Sequence, residues 1–210
     1  MAEIKVYNAA ALDRGEWRQM QGIAREAFTS TLVGRTQVEI DTLVAWDAPA
    51  IYYDSRVDPN SQVGKRYSAN QSYAEPRVAV ATKAGEPVGF AFSAHNVSGA
   101  TEKDRLAKRL AVVKNYLWFR EVAVKPHLQR QGIATALGEA LLKDAMPLQP
   151  PTTYIWPTEI GFLQGALERV GFSATGEQDV KIFGEGSSPV RQVRMQAASA
   201  QDVLRRLSSR

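Results

Sequence analysis

Cysteine is absent from this 210-residue chain, and histidine occurs only twice. Without cysteine there are no disulfides, no thiolate metal sites and no cysteine nucleophile. The two histidines, His95 and His127, stand apart with no paired-acid motif around them, so no metal site is expected. No apolar run approaches the roughly 18 residues of a membrane-spanning helix. The opening MAEIKVYNAA lacks the apolar core of a signal peptide, and Ala2 stands where myristoylation needs a glycine. These absences predict a cytoplasmic protein with no membrane partner. Internal repeats and low-complexity tracts are missing as well.

The hydrophobic content of 44% is enough for a sizeable core, and the length suits one domain with at most an appendage. A net charge of +4 suits an acidic ligand without requiring nucleic acid, which is not expected as a partner. The excess sits in two places. Glu102 to Lys114 carries Lys103, Arg105, Lys108, Arg109 and Lys114 against Glu102 and Asp104, and the tail carries Arg205, Arg206 and Arg210 against Asp202. Both read as solvated basic faces, with a docking surface for an acidic partner as the alternative.

Along the chain, Ile4 and Val6 mark a first strand. Asp13 with Glu16, then Thr36 with Glu39, are capping-box signals. They open helices whose apolar faces carry Trp17, Met20, Ala24, Ala27 and Phe28, then Ile40, Leu43 and Val44, the second ending near Asp47. Residues 48–75 have no clear period and hold Tyr52, Tyr53, Tyr67 and Tyr73 among charges, an irregular insertion that either covers an acceptor site or packs. Arg77–Thr82 and Val88–Ala94 form a hairpin around Ala84-Gly85, with Val88, Phe90, Phe92 and Ala94 on one face. A basic helix is predicted over 101–114. Strands follow at Trp118–Val124 and Thr152–Trp156, helices near 133–142 and Glu159–Val170, and two last strands from Phe172 to Met195. Gly171 fits the position just past a helix end. Residues 202–207 are a short helix or a tail. Residues 1–197 thus read as one domain, with 198–210 as a basic extension. Trp46, Phe119 and Trp156 read as core or cleft wall rather than base-stacking platforms.

The chain is organised around Leu117–Leu142, where a strand rich in β-branched and aromatic residues ends before Pro126 and runs through a tight turn into a helix. Ile133, Leu137, Ala140 and Leu141 make that helix's apolar stripe. The turn carries Gln129, Gly132 and Ala134 in the spacing Q/R-x-x-G-x-G/A. The first amides of a helix lack internal partners and sit at the positive end of its dipole, so they can hold a phosphate. No Ser, Thr, Asp or Asn stands between Gln129 and Gly132 to cap them, Gly132 has no Cβ to obstruct an anion, and Arg130 adds charge.

This strand, its Val124-Lys125-Pro126 turn, the Gln129-x-x-Gly132-x-Ala134 spacing and the later Arg169-Val170-Gly171-Phe172 resemble the GNAT superfamily of N-acyltransferases, from Ile4 to about Met195. The resemblance implies an α/β (α+β) fold, with a mixed, mostly antiparallel sheet of about seven strands. That sheet would splay between its fourth and fifth strands (Trp118–Val124 and Thr152–Trp156) and carry helices on both faces. It implies acetyl-CoA, or another acyl-CoA, as co-substrate. Pantetheine would lie along the backbone of Val122, Ala123 and Val124. Pyrophosphate would rest over the amides of Arg130, Gln131, Gly132, Ile133, Ala134 and Thr135, with Gln129 opening the motif. It implies transfer to a primary amine of a small molecule or protein within a ternary complex, and two protomers sharing a sheet edge as a common assembly.

Glu121, directly before the Val-Ala-Val run, is the candidate general base, with an ion pair to Arg120 as the structural alternative and His95 as a second base. His127, in the turn, is expected to be solvent-exposed. Where relatives carry a tyrosine that protonates the departing thiolate, this chain has Leu167, which has no proton to give. The asparagine that often opens the same helix is replaced near Ile160. Thr158, Ser173 or Tyr154 would have to substitute, or the thiolate leaves unassisted. A catalytically weak or inactive acyl-CoA-binding regulatory module on the same fold is one other reading, and a nucleic-acid-associated protein using the basic helix and tail is a second.

Overall fold

The computed structural model describes residues 2–45, 74–97, 115–148, 153–155, 163–180, 187–197 and 199–209. The elements are β1 (Glu3–Asn8), α1 (Arg14–Thr31), α2 (Gln37–Ala45), β2 (Ala74–Lys83), β3 (Glu86–Val97), β4 (Asn115–Val124), α3 (Ile133–Ala145), β5 (Thr153–Ile155), α4 (Leu163–Arg169), β6 (Ser173–Val180), β7 (Val190–Ala197) and α5 (Ala200–Ser208). Apart from Ala74 and Glu75, which start β2, the 48–75 insertion lies outside the described residues. So do the predicted basic helix over 101–114 and the first part of the helix predicted from Glu159.

Seven strands form one sheet in the order β1-β2-β3-β4-β5-β7-β6. Every neighbouring pair is antiparallel except β4 with β5. Both faces are covered, which is why β2 and β3 read as nearly continuous apolar runs. On one face α1 and α2 bury Trp17, Met20, Ile23, Ala24, Ile40 and Val44 against Val78, Val80, Phe90, Phe92 and Ala123. On the other, α3 and α5 bury Leu137, Leu141, Leu142 and Val203 against Ala79, Ala81, Ala91, Leu117, Phe119, Val124 and Met195. Each fully buried large side chain contributes about 1.5–3 kcal/mol, so these two clusters hold the layers together. Val88 departs from the predicted face: it packs in the α3 cluster, while Phe90 and Phe92 lie under α1.

The local signals act as their chemistry requires. Asp13 Oδ1 accepts from the Glu16 amide (2.9 Å), and Glu16 Oε2 accepts from the Asp13 amide (2.7 Å), closing the box that starts α1. Ala84 (φ 53) and Gly85 (φ 83) both take the left-handed conformation that a two-residue hairpin needs. Gly171 (φ 97) ends α4, with the Phe172 amide donating to Leu167 O and the Gly171 amide to Glu168 O. The C-terminal segment is a helix rather than a loose tail. Ser199 caps α5, and Ala200 and Val203 lie in the core beneath it. Its Ser208 hydroxyl donates to Glu139 of α3 (3.1 Å).

Candidate functional site

The site begins with a fault in the ladder. Glu121 of β4 pairs with Phe92 of β3, but the next β3 residue, Ser93, pairs with Phe119. Arg120 is therefore the extra residue of a β-bulge, and a bulge turns the side chains that follow it to the opposite face. Leu117 and Phe119 pack in the α3 cluster, whereas Ala123 packs beneath α1. Glu121, two residues before Ala123, shares the α1 face with it and with its partner Phe92. Its side chain is half-buried, with Oε1 shielded from solvent.

The same register settles which backbone groups of β4 look away from β3. The Lys125 amide donates to Val88 O at 2.9 Å. Bonds to one neighbour alternate along an antiparallel strand, so Ala123 bonds Phe90, and Val122 and Val124 present their N–H and C=O on the β5 side. Of the three residues expected to offer backbone to a cofactor, Ala123 is thus occupied by β3. Among the described residues, β5 accompanies β4 only at Leu117, Trp118 and Phe119, so β4 runs on to Val124 beyond that pairing. Gly89 faces this end of β4. A Cβ there would lie 3.0 Å from Ala123 O and 3.1 Å from Val124 Cγ2, so glycine permits the close approach of β3.

After Val124 a single 3₁₀ turn, Pro126–Leu128, drops Leu128 into the core. Arg130 (φ 60) and Gly132 (φ 80) then both adopt the left-handed conformation. Gly132 is the N-cap of α3, makes no side-chain cap, and is followed by no acidic residue in the first turn. Gln131, Gly132, Ala134 and Thr135 are exposed, while Ile133 anchors the turn in the core. A Cβ on Gly132 would meet no atom within 4 Å, so glycine is needed there for its φ rather than for space. The result is an exposed, uncapped helix N-terminus, positive by its dipole, beside the cationic Arg130.

The other candidates stand apart from this centre or are only partly described. His127 is exposed, as expected. His95 pairs with Leu117 through the backbone, and its side chain lies outside the described residues, as do the Tyr154 side chain, Thr158 and Ile160. Ser173 is exposed, and its hydroxyl donates to Gln196 O at 3.4 Å. Leu167 is half-buried against the α3 cluster. Among the described residues no cluster of three or more His, Asp or Glu could hold a metal ion, and no helix is long and apolar enough to cross a membrane.

On the α1 face a cleft of about 540 Å³ opens between α1 (Arg25, Glu26, Thr29, Ser30), Gln37 and the Pro126-His127 turn. Its wall is tied by Asp41, which accepts from Arg25 Nε (2.8 Å) and Gln37 Nε2 (3.1 Å). Glu39 accepts from the Thr36 amide (2.8 Å) and hydroxyl (3.0 Å), the start of α2. The Arg25 bond, then that from Gln37, holds the Asp41 carboxyl below its ordinary range, and the Thr36 amide does the same for Glu39. Lowered carboxyl values mean that the folded form binds fewer protons than the unfolded one. This stabilisation is therefore present above the ordinary carboxylate range and lost as pH falls through the lowered values. Below pH about 4, amide exchange at residues 36–40 is expected to rise relative to its intrinsic rate, while the β2 and β3 amides, paired inside the sheet, stay protected.

A model of the acetyltransferase (GNAT) family matches residues 40–156, more than half of the chain and the stretch that contains β4, the turn and α3. No curated protein matches. Among solved structures the chain is similar to the PaiA N-acetyltransferase of Thermoplasma acidophilum in complex with coenzyme A. The two are 13% identical over 93% of this chain and 99% of that one, with a TM-score of 0.58. It is also similar to PH1933 of Pyrococcus horikoshii OT3 (17% identical, 94% and 99% covered, TM-score 0.55). A further likeness is to the ribosomal-protein-S18-alanine N-acetyltransferase of Escherichia coli (15% identical, 94% and 95% covered, TM-score 0.53). At these identities the likeness is one of fold, and the family follows from the matched stretch: the chain belongs to the acetyltransferase (GNAT) family.

Proposed function

We propose that this protein is an acyl-CoA-dependent N-acyltransferase that moves an acetyl group from acetyl-CoA to a primary amine of a small molecule or protein. The observation that carries the reading is the pairing of two sets of backbone groups: the uncapped N-terminus of α3 and the β5-facing groups of Val122 and Val124. An acyl-CoA has an anion for the first and a peptide-like pantetheine arm for the second. Arg130 adds charge at the pyrophosphate. The Val124 N–H, on the β5 side, is a donor able to polarise the thioester carbonyl. The CoA-bound state of the Thermoplasma acidophilum neighbour supports the same cofactor.

In the reaction the amine nitrogen attacks the thioester carbonyl, a C–N bond forms, the C–S bond breaks, and the nitrogen sheds its second proton to water. An ammonium of pKa about 10 must first lose a proton, and Glu121 accepts it directly or through one water. Leu167 supplies no proton to the departing sulfur. A thiol with a pKa near that of cysteine, about 8.5, still leaves as its thiolate, at a cost in rate.

Leu167 is also the observation that favours the second reading, an acyl-CoA-binding module without turnover. The test is thiol release from acetyl-CoA across a panel of primary amines, run beside thermal melts with and without coenzyme A. Steady amine-dependent release is the expected result. Stabilisation by coenzyme A with no release would favour the binding module, and the absence of both signals would overturn the acyl-CoA reading.

A further inference from the structure

The turn between β4 and α3 is held by side chains of its own. Gln129 Nε2 donates to Val124 O at 3.0 Å, and Gln131 Nε2 donates to His127 O at 3.2 Å. A carbonyl only accepts, so the amide nitrogen of Gln129, not its oxygen, faces Val124. The Val124 carbonyl is on the β5 side of β4, where strand alternation leaves it without a bond to β3. Gln129 therefore fills the one acceptor at the very end of β4 and leaves the Val124 N–H beside it. The bond is partly buried, unlike the exposed bond of Gln131.

Directly after Gln129 comes Arg130 at φ 60, a conformation that a non-glycine residue keeps only when its surroundings over-determine it. Leu128 pins the chain before that residue and Ile133 pins it after Gly132. Between those anchors, the Gln129 carboxamide joins the turn back to the strand it has just left. We propose that Gln129 is a positioning residue. It touches no reacting atom; its donated hydrogen bond holds the turn in the form that aims the α3 amides and the Val124 N–H at one bound acyl-CoA. This inference rests on the acyl-CoA reading above. It changes the role of Gln129 from a cofactor contact to a staple within the protein, and it makes an N–H donor, rather than glutamine as such, the requirement at this position.

The test compares the full chain with Gln129→Met and Gln129→Arg, by calorimetric titration with coenzyme A and by amide exchange without it. Methionine keeps the length and removes the donor; arginine keeps a donor and, like the amide nitrogen, accepts nothing. For Gln129→Met the Kd for coenzyme A is expected to rise about tenfold, with faster exchange at residues 130–133 in the ligand-free protein. For Gln129→Arg, affinity is expected within about threefold of the parent (under 1 kcal/mol), with exchange restored. Affinity unchanged in Gln129→Met, or Gln129→Arg as weak as Gln129→Met, would overturn the inference. If Gln129→Met fails to fold, Gln129→Glu replaces it in the exchange measurement, where an ionised carboxylate of the same shape cannot donate. A parent protein that ignores coenzyme A would defeat the acyl-CoA reading alone. The exchange arm still decides whether the staple exists, and unchanged exchange there would overturn it.

Discussion

The Gly132→Glu protein is expected to melt at one temperature whether or not coenzyme A is present. In the parent, coenzyme A at about one hundred times its Kd is expected to stabilise the folded state by about 2.7 kcal/mol. For a chain of this size that is a rise on the order of 5–10 °C. The substitution acts at the N-cap of α3, where Gly132 sits at φ 80. A side chain there meets no neighbouring atom, so nothing is displaced from the core. The left-handed backbone costs a non-glycine residue about 1–2 kcal/mol. A carboxylate beside the first amides of a helix returns part of that through the dipole. The ligand-free protein therefore stays folded, a few degrees less stable. A pyrophosphate held as proposed would, in contrast, meet a negative charge on the amides it needs. Gly132→Asn separates charge from backbone strain, since asparagine tolerates this conformation and carries no charge; it is expected to keep part of the shift. A full shift in the glutamate variant would place the phosphates elsewhere on the molecule.

How much of this was legible in the sequence depends on whether a feature is local. The strand, turn and helix of 117–142 could be read because a β-rich run, a proline, a glycine and a 3.6-residue stripe follow one another within a single stretch. The boxes at Asp13-Glu16 and Thr36-Glu39, and the helix stop at Gly171, are local in the same way. The bulge at Arg120 was not legible, because it is a property of the register between β3 and β4 and not of either strand. Without it, Leu117, Phe119, Glu121 and Ala123 would share a face, and Glu121 would point toward α3. The division of labour among Val122, Ala123 and Val124 was hidden for the same reason. It depends on the Lys125 bond to Val88, a residue far back in the chain. Gly132 was singled out for its missing Cβ, yet its φ is what matters. The helix α5 read as a possible tail because its few apolar residues sit among arginines. Only α3 and β7, packed beneath it, turn that short segment into part of the core.

The second large effect is expected from Glu121→Gln, through turnover rather than binding. The exchange keeps the size and half-buried setting of the side chain and removes its basicity. If Glu121 takes the ammonium proton, kcat at neutral pH is expected to fall by about 100-fold or more, while stabilisation by coenzyme A stays at the parent value. The bulge at Arg120 turns Glu121 onto the α1 face, beside its partner Phe92, rather than toward α3. The dependence on pH separates a base from a structural carboxylate. Near neutral pH almost all of a primary amine is protonated, and the variant must wait for the rare free base. As pH climbs toward the amine's own value of about 10, the acceptor arrives already deprotonated and a protein base has less to contribute. The gap between parent and variant is therefore expected to narrow steadily as pH rises. A gap of constant size would make Glu121 a residue that shapes the site without moving a proton. Equal turnover at neutral pH would remove it from the mechanism and leave the proton to another group on that face.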